Sequence, residues 1–491
     1  MRDSRIIAHH SITQKKRRPF MNILVLNGSP KGEYSVTLQT LRYLEILHPE
    51  HTFEVLHVGQ RIKSLEKDFA PAAEALNRAD LLFFSYPVYT FIAPSQLHRF
   101  IELAKVAVAE GRVAFTGKYA TQISTSKHFY DVTAHAYIQD NCHDLALKYI
   151  RGLSADMDDL TGEKGQKEAR DFFDFVCWSV KNDHYETAPG AMTVEEYSTY
   201  ISGYQSAHQP VSMPVSTVDD TDLTGDVVII ADYDETEKQL SDMIARFQAV
   251  LPRKTRVINI REYPFQGGCL GCFKCAVSGK CVYKDGFDEY LRGTIQSAEA
   301  MVFAFSIKDH SMGARFKMYN DREFCNGHRT VSMGMPIGYL VSGDYSREKN
   351  LQTILESRAQ VGGNFLAGVA TDEREPDGEI DRLAATLDYA LEHGYVPPQN
   401  FYGIGGMKIF RDLIWIMQGM MRADHKFYKA HGQYDFPQKK RGQMWAMYLV
   451  GSMLANPKLV QKMGNKMNEG MIMPYKKVLE KARQEMSKYG K

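Results

Sequence analysis

The chain has no apolar run long enough to cross a bilayer, which needs about 20 consecutive residues. Its longest candidate, Met444 to Ala455, is too short and is interrupted by Gly451 and Ser452. Net charge is almost absent: 60 Lys and Arg stand against 59 Asp and Glu, a formal +1. The basic excess expected of a nucleic-acid binder is therefore missing. Cysteine is scarce, seven in 491 residues, which excludes a disulfide scaffold. No HExxH motif and no catalytic triad stands out, so no side-chain nucleophile is expected. Met1 to Phe20 lacks the apolar core of a secretory signal and fits a transit peptide poorly, although it carries Arg2, Arg5, Lys15, Lys16, Arg17 and Arg18. Because Met21 leads directly into a strand-like run, we read Met21 as the natural start and residues 1–20 as a leader or tail. A basic tail that touches a partner is the alternative.

Hydrophobic residues make up 44% of the chain and aromatics 11%, enough for full cores. The length suggests roughly three units. From Met21 onward, short apolar runs alternate with helical stretches. The runs are NILVLN (22–27), TFEVLHV (52–58), ADLLFFSYP (79–87), YATQIST (119–125) and IRGLSA (150–155). The rhythm returns with VVIIAD (227–232), TRVINI (255–260), AMVFAFS (300–306), IGYLVSG (337–343) and NFLAGVA (364–370). Continuous β-branched and aromatic runs between helices indicate parallel sheets covered on both faces. Two such sets predict two doubly wound α/β domains, 21–185 and 226–395, with binding crevices at the carboxyl ends of the strands. Residues 186–225 read as a linker rich in Pro, Ser, Thr and Gly. Within it Tyr197, Tyr200, Ile201 and Tyr204 have helical spacing, which predicts that it packs. Residues 396–491 read as a helical, Met-rich region whose apolar face (Ile409, Phe410, Leu413, Ile416, Met417, Met420) packs on the body or docks a partner.

The first strand ends in Asn27-Gly28-Ser29-Pro30-Lys31-Gly32, followed by Ser35, Thr37 and a helix. A phosphate needs free backbone N–H groups, a helix N-terminus and hydroxyl donors, and this loop can supply all three. The plain alternative is a strand-to-helix turn with a serine N-cap.

This stretch resembles the flavodoxin-like superfamily, in particular the NAD(P)H-dependent FMN reductases and iron–sulfur flavoproteins. Their N-G-S-P-x-x-x-S-x-T loop stands here as NGSPKGEYSVT, one residue longer. The resemblance continues in SYPVYTFIAPSQLHRFIEL, after the third strand. It implies an α/β fold of two tandem flavodoxin-like five-stranded parallel sheets, order 2-1-3-4-5, plus a helical C-terminal extension. It further implies that Ser29, Pro30, Lys31, Ser35 and Thr37 hold the FMN phosphate. Pro87, Val88, Tyr89 and Thr90 would lie along the isoalloxazine ring. The strand-four loop Thr125-Ser126-Lys127-His128-Phe129-Tyr130 would close its other side, with Thr125, Ser126, His128 and Tyr130 as its contacts. Flat aromatic side chains suit a flat ring, and plain loop packing is the alternative for Tyr89 and Tyr130.

GGCLGCFKCAVSGKCVYKDGF places cysteines at 269, 272, 275 and 281. Thiolates at two-residue gaps can cap one face of a cluster while a fourth closes it. Zinc usually takes two separated pairs. The reading from spacing is a [4Fe–4S] cluster on Cys269, Cys272, Cys275 and Cys281, with zinc and redox-active thiols as alternatives. The same compact motif occurs in the iron–sulfur flavoproteins. Cys142, Cys177 and Cys325 read as structural.

In the second half the first loop is ADYDETEKQL, whose Asp232, Asp234, Glu235 and Glu237 would repel a phosphate. The Pro-Val-Tyr segment is replaced by SIKDHSMGARFK. One half thus keeps a flavin site and the other a cysteine site, and a tandem chain can join them as an intramolecular pseudo-dimer; a homodimer is also compatible. The expected activity is that of a cytoplasmic FMN-dependent oxidoreductase with no membrane span. It would take electrons from NAD(P)H or a reduced carrier and pass them to a small-molecule or protein acceptor. An electron carrier docking a protein, and a flavin-binding scaffold with a degenerate second domain, are the alternatives. Gly403-Ile404-Gly405-Gly406 reads as a hinge, with a nucleotide-phosphate contact as the alternative.

Overall fold

Nine of the ten apolar runs of the sequence become parallel strands, and of the run 150–155 only 153–155 does. The computed structural model describes residues 20–186, 209–214 and 223–455, with Lys458 and Gln484. The leader up to residue 19, the linker tyrosines and most of the chain beyond 455 lie outside the described residues.

The first half runs β1 (Asn22–Asn27), α1 (Val36–Leu47), β2 (Thr52–Leu56), α2 (Val58–Leu65), α3 (Ala70–Arg78), β3 (Leu81–Pro87), α4 (Ser95–Ala109), β4 (Tyr119–Ser126), α5 (Asp131–Asp144), β5 (Lys148–Tyr149), β6 (Leu153–Asp156) and α6 (Glu163–Lys181). The sheet order is β2-β1-β3-β4-β5, with β6 also paired to β4. Of the predicted fifth strand, 150–155, only 153–155 is strand, within β6, and the two-residue β5 comes before it. At the break Ile150 N still donates to Ala120 O at 2.7 Å. Gly152 lies so close to β4 that a Cβ there would sit 2.3 Å from Gln122 Cγ.

The second half runs β7 (Thr224–Asp232), α7 (Lys238–Val250), β8 (Arg253–Asn259), α8 (Lys274–Ser278), α9 (Phe287–Tyr290), β9 (Ala300–Ser306), α10 (Gly313–Glu323), β10 (Pro336–Ser342), α11 (Lys349–Gly362), β11 (Phe365–Thr371) and α12 (Pro376–His393). Its sheet order is β8-β7-β9-β10-β11, the same 2-1-3-4-5 order. The fold is therefore α/β and flavodoxin-like in both sheets, followed by helices α13 (Phe401–Ile416), α14 (Arg422–Ala430) and α15 (Arg441–Leu454).

Each sheet packs one face against its own helices. Leu38, Leu41, Phe83 and Phe173 form that core in the first half, and Ile229, Met243, Phe247 and Leu383 in the second. The other two faces share a third core, in which Phe84, Phe100 and Tyr137 belong to the same cluster as Phe303, Phe316 and Tyr339. Helix α4 packs on α10 across this junction. Residues up to Phe427 form one compact unit and Tyr428–Lys491 another.

Within the first unit, helix α13 packs through Gly403, Gly406, Arg411 and Ile414, all buried. A Cβ at Gly403 would lie 2.6 Å from Gln360 O, and one at Gly406 2.7 Å from Val361 Cγ2. These glycines are therefore neither a hinge nor a phosphate loop: they lie inside a helix and let it approach α11. Of the predicted apolar face, Ile416 and Met420 are exposed.

Candidate functional site

The loop after β1 is built around Asn27. Its Nδ2 donates to Gly32 O at 3.0 Å, and its Oδ1 accepts from Ser29 N at 3.1 Å. Gly32 turns the chain at φ +57, a conformation that favours glycine. Ser29 Oγ accepts from Lys31 N at 3.3 Å, and Ser35 Oγ caps α1 by accepting from Leu38 N at 3.4 Å. Each hydroxyl shapes the loop as an acceptor and keeps its O–H to donate. The first turn of α1 adds N–H groups with no intrahelical partner. Ser29, Lys31, Ser35 and Thr37 all line a cavity of about 370 Å³.

The loops after β3 and β4 form the next walls of that cavity. Pro87, Val88, Tyr89, Thr90, Thr125 and Ser126 line it. After β3 the chain makes a two-residue turn with Thr90 at φ 46 and Phe91 at φ 74. Tyr89 N donates to Ile92 O at 2.8 Å and Ile92 N returns to Tyr89 O at 3.2 Å. Positive φ at two consecutive non-glycine residues costs about 1–3 kcal/mol each, and such strain gathers at functional loops. Thr125 Oγ1 and Ser126 Oγ are buried and have no hydrogen-bond partner in the protein. Buried hydroxyls are nearly always paired, so these two mark a place where a polar ligand atom fits.

Three residues assigned by resemblance do not line the cavity: Pro30, His128 and Tyr130. His128 turns toward Asp131, with Nδ1 2.8 Å from Oδ2. Tyr130 donates its hydroxyl to Tyr402 O at 2.8 Å, and burial pushes its pKa up to about 12. The aromatic wall is instead Phe129, stacked on Phe410 of α13 with centroids 4.3 Å apart. Lys127 also reaches the cavity and pairs with Asp156 and Asp158 at 2.7 Å each.

The cysteine segment closes the same cavity from the second half. Cys269, Cys272, Cys275 and Cys281 line it, together with Cys325. Cys325, expected to be purely structural, therefore also borders the site. The segment is fastened by Arg322, which pairs with Asp285 at 2.7 Å, donates to Gly267 O at 2.9 Å and stacks 4.3 Å from the Tyr283 ring centroid. Gln96 of α4 donates to Cys269 O at 3.3 Å. Gly271, at φ +58, leaves just enough room for Tyr89: a Cβ would lie 1.8 Å from the Tyr89 hydroxyl. Lys31 Nζ stands 5.4 Å from the Phe273 ring centroid, a cation–π contact from the loop after β1 to the cysteine loop.

Burial pushes the Cys269 thiol far above its usual range and Cys275 up to about 11. Gly271 N donates to Cys269 Sγ at 3.4 Å, and Cys275 Sγ donates to Phe324 O at 3.1 Å. Among the described residues no three Cys, His, Asp or Glu side chains gather as a metal site. The four thiols share a wall of the cavity without converging on one point. Burial also raises the Tyr89 hydroxyl well above its usual range, with the neighbouring Cys269 and Asp321 adding to the effect.

In the second half, the corresponding first loop is occupied by an ion-pair network. Arg261 reaches Asp232 at 2.7 Å, Asp234 at 2.6 Å and Glu237 at 3.0 Å, and Lys308 reaches Glu237 at 3.2 Å. After β9 the chain repeats the two-residue turn of the first half. Asp309 and His310 have φ 49 and 61, and Lys308 and Ser311 exchange backbone bonds at 2.9 and 2.8 Å. The backbone of the Tyr89 loop is thus kept where its sequence is not. Each turn is gripped by the opposite half. Lys317 donates to Tyr89 O at 2.8 Å, while Tyr137 donates to Asp309 Oδ2 at 2.6 Å.

Residues 21–156 match the Flavodoxin_2 family, described as having a flavodoxin-like fold. No curated protein matches the chain. Similar solved structures include an NAD(P)H:quinone oxidoreductase from Methanothermobacter marburgensis, 14% identical, covering 34% of this chain and 98% of that one with a TM-score of 0.25. FerB, a flavoenzyme NAD(P)H:(acceptor) oxidoreductase from Paracoccus denitrificans, is 18% identical, covering 34% of this chain and 100% of that one with a TM-score of 0.28. An FMN-dependent NADH-azoreductase from Bacillus anthracis is 11% identical, covering 33% and 98% with a TM-score of 0.24.

Proposed function

Taking residues 21–156 as a flavodoxin-like domain of the Flavodoxin_2 family, we propose that the chain is an FMN-dependent NAD(P)H oxidoreductase. The observation that carries this is one cavity of about 370 Å³, lined by the three strand-end loops of the first sheet and closed by the cysteine loop of the second half. Bound FMN would supply the hydride and electron chemistry. The chain's own residues bind and orient it. Ser29, Lys31, Ser35 and Thr37 hold the phosphate with the N-terminus of α1. Thr125 and Ser126 offer their unpaired hydroxyls to the polar edge of the ring. Pro87, Val88 and Tyr89 lie along it, with Phe129 as the further aromatic wall, and the cysteine loop shields that end of the cavity from water.

The finer reading gives Cys269, Cys272, Cys275 and Cys281 to a [4Fe–4S] cluster facing the flavin within one chain, as in a covalent pseudo-dimer. Its support is the donor chemistry and the shared cavity wall. The thiols do not converge as arranged, so no electron step is derived through a cluster. A small electron acceptor would enter from the same cavity.

The test is an absorption spectrum of anaerobically purified protein reconstituted with FMN, followed by NAD(P)H oxidation with small acceptors. Flavin bands with turnover are expected. Failure of FMN to bind would overturn the oxidoreductase reading. Iron and sulfide analysis decides the cluster: four iron and four sulfide per chain, lost in Cys272→Ala, are expected for it, whereas zinc or free thiols would remove it and leave the FMN reading intact.

A further inference from the structure

Helix α15, Arg441–Leu454, is apolar around its whole circumference. Met444, Trp445, Met447, Tyr448, Leu449, Val450 and Met453 are large hydrophobic residues, and at 100° per residue they leave no polar face. A helix of this kind is normally buried. Here it is open: Trp445 is 66% exposed, Tyr448 64% and Leu449 67%. Exposed apolar surface of this extent marks an interaction site.

Two features of the chain say what covers it. The helix is preceded by Lys439, Lys440 and Arg441, and residues 437–491 hold twelve Lys and Arg against three Asp and Glu. The whole chain balances at +1, so this basic excess is concentrated at one end while the remainder is acidic. Cationic flanks beside Trp, Tyr and Leu match an anionic lipid surface, where the aromatic rings sit at headgroup depth and each nearby Lys or Arg adds attraction. The helix has 14 residues and measures about 21 Å, less than the roughly 30 Å hydrocarbon core. Among the described residues no helix is long and apolar enough to cross a membrane.

We propose that α15 is a membrane-docking element that inserts its Trp445–Leu449 segment into the headgroup region of an anionic bilayer, held there by Lys439, Lys440 and Arg441. The helix enters one leaflet without spanning it. This reading is independent of what the cavity binds.

The test uses the full chain and two vesicle preparations, phosphatidylcholine alone and phosphatidylcholine mixed with phosphatidylglycerol. Co-sedimentation with the anionic vesicles, weakened by salt, is expected. Lys439→Glu/Lys440→Glu/Arg441→Glu should reduce partitioning by more than about tenfold. Trp445→Glu/Leu449→Glu should do the same through the apolar side, with an unchanged circular dichroism spectrum as the control for folding. The chain has three tryptophans, at 178, 415 and 445. In a Trp178→Phe/Trp415→Phe background, brominated lipid should quench the remaining fluorescence. No sedimentation with either vesicle would overturn the proposal. So would equal binding to both preparations, or full binding by Trp445→Glu/Leu449→Glu. A concentration-dependent dimer that this variant abolishes, with no lipid bound, would assign the surface to a second copy of the chain and also overturn it.

Discussion

Gly271 and Tyr89 occupy one small volume between the strand-end loops of the first sheet and the cysteines, and neither can change alone. Gly271 has φ +58, a region that costs an L-residue about 1–2 kcal/mol. Its Cβ would overlap the Tyr89 hydroxyl. Gly271→Ala should therefore lower unfolding stability by about 2 kcal/mol or more and weaken FMN binding, because Tyr89 must leave its place along the cavity. Denaturant unfolding and flavin titration would measure the two effects; unchanged flavin affinity would show that Tyr89 is not a ring contact. Asp321 is a second such residue. It accepts Ser95 N at 2.8 Å and Thr90 Oγ1 at 3.2 Å, and it pairs with the fully buried Lys317. Asp321→Ala leaves that buried ammonium with the Tyr89 carbonyl but no counter-charge. Breaking a buried pair in this way costs about 3–5 kcal/mol, so a loss of that size is expected in urea unfolding. Asp321→Asn, which still accepts from Ser95, should lose less.

Among the elements, those whose local sequence determines them were legible. The runs 22–27 and 300–306 become strands with those bounds, because continuous β-branched and aromatic residues suit a doubly covered sheet. The fifth strand of the first half was not, since its break depends on Gly152 meeting Gln122 across the sheet, a long-range contact. Which of the adjacent Phe129 and Tyr130 lines the cavity was also beyond reach. His128 and Tyr130 adopt φ 55 and 51, and nothing in a non-glycine sequence signals positive φ. Of the cavity wall, the loop after β1 and the cysteine spacing were readable; Cys325 and Phe410 come from elements distant in sequence. The Gly403–Gly406 segment shows the same limit, since glycine spacing alone does not distinguish a hinge from a close helix contact. Because a Cβ at Gly406 would already press on Val361 and Phe129, Gly406→Leu should push α13 off α11. We expect a stability loss of about 1–3 kcal/mol from overpacking, read by thermal unfolding, together with a looser Phe129–Phe410 wall and weaker flavin retention on gel filtration. An unchanged melting temperature would mean that α13 contributes nothing to the body it rests on.

The two halves, joined by a shared apolar core, are also pinned by polar pairs that cross between them, and one cluster makes that union depend on pH. His310, in the second-half turn, has Nε2 3.0 Å from Asp144 Oδ2 on α5 and Nδ1 3.1 Å from Glu348 before α11. Burial alone would lower its pKa, but the bonds to Asp144 and Glu348 outweigh burial and raise it to about 10. Burial would likewise raise Asp144, yet His310 and Lys105 bring it down to about 2. Asp140 nearby is raised to about 6, chiefly by burial. An unfolded histidine titrates near about 6.5. The folded state therefore holds the His310 proton more tightly. That stabilisation is complete below about pH 6.5 and disappears as pH rises through about 10. The Asp144 contribution has the opposite sign: it is present above about pH 3.9 and is lost as pH falls through about 2. Asp140, whose folded pKa is raised, favours the folded state most below about pH 3.9 and loses that favour as pH rises through about 6. His310→Asn keeps a polar side chain but not the charge. It should be less stable than the parent by about 3 kcal/mol near pH 6.5, with the difference shrinking steadily toward pH 10. Chemical unfolding of both proteins across that range measures the gap directly. A gap that stays constant with pH would mean that His310 joins the halves by shape, and a gap that widens would reverse the sign of the linkage.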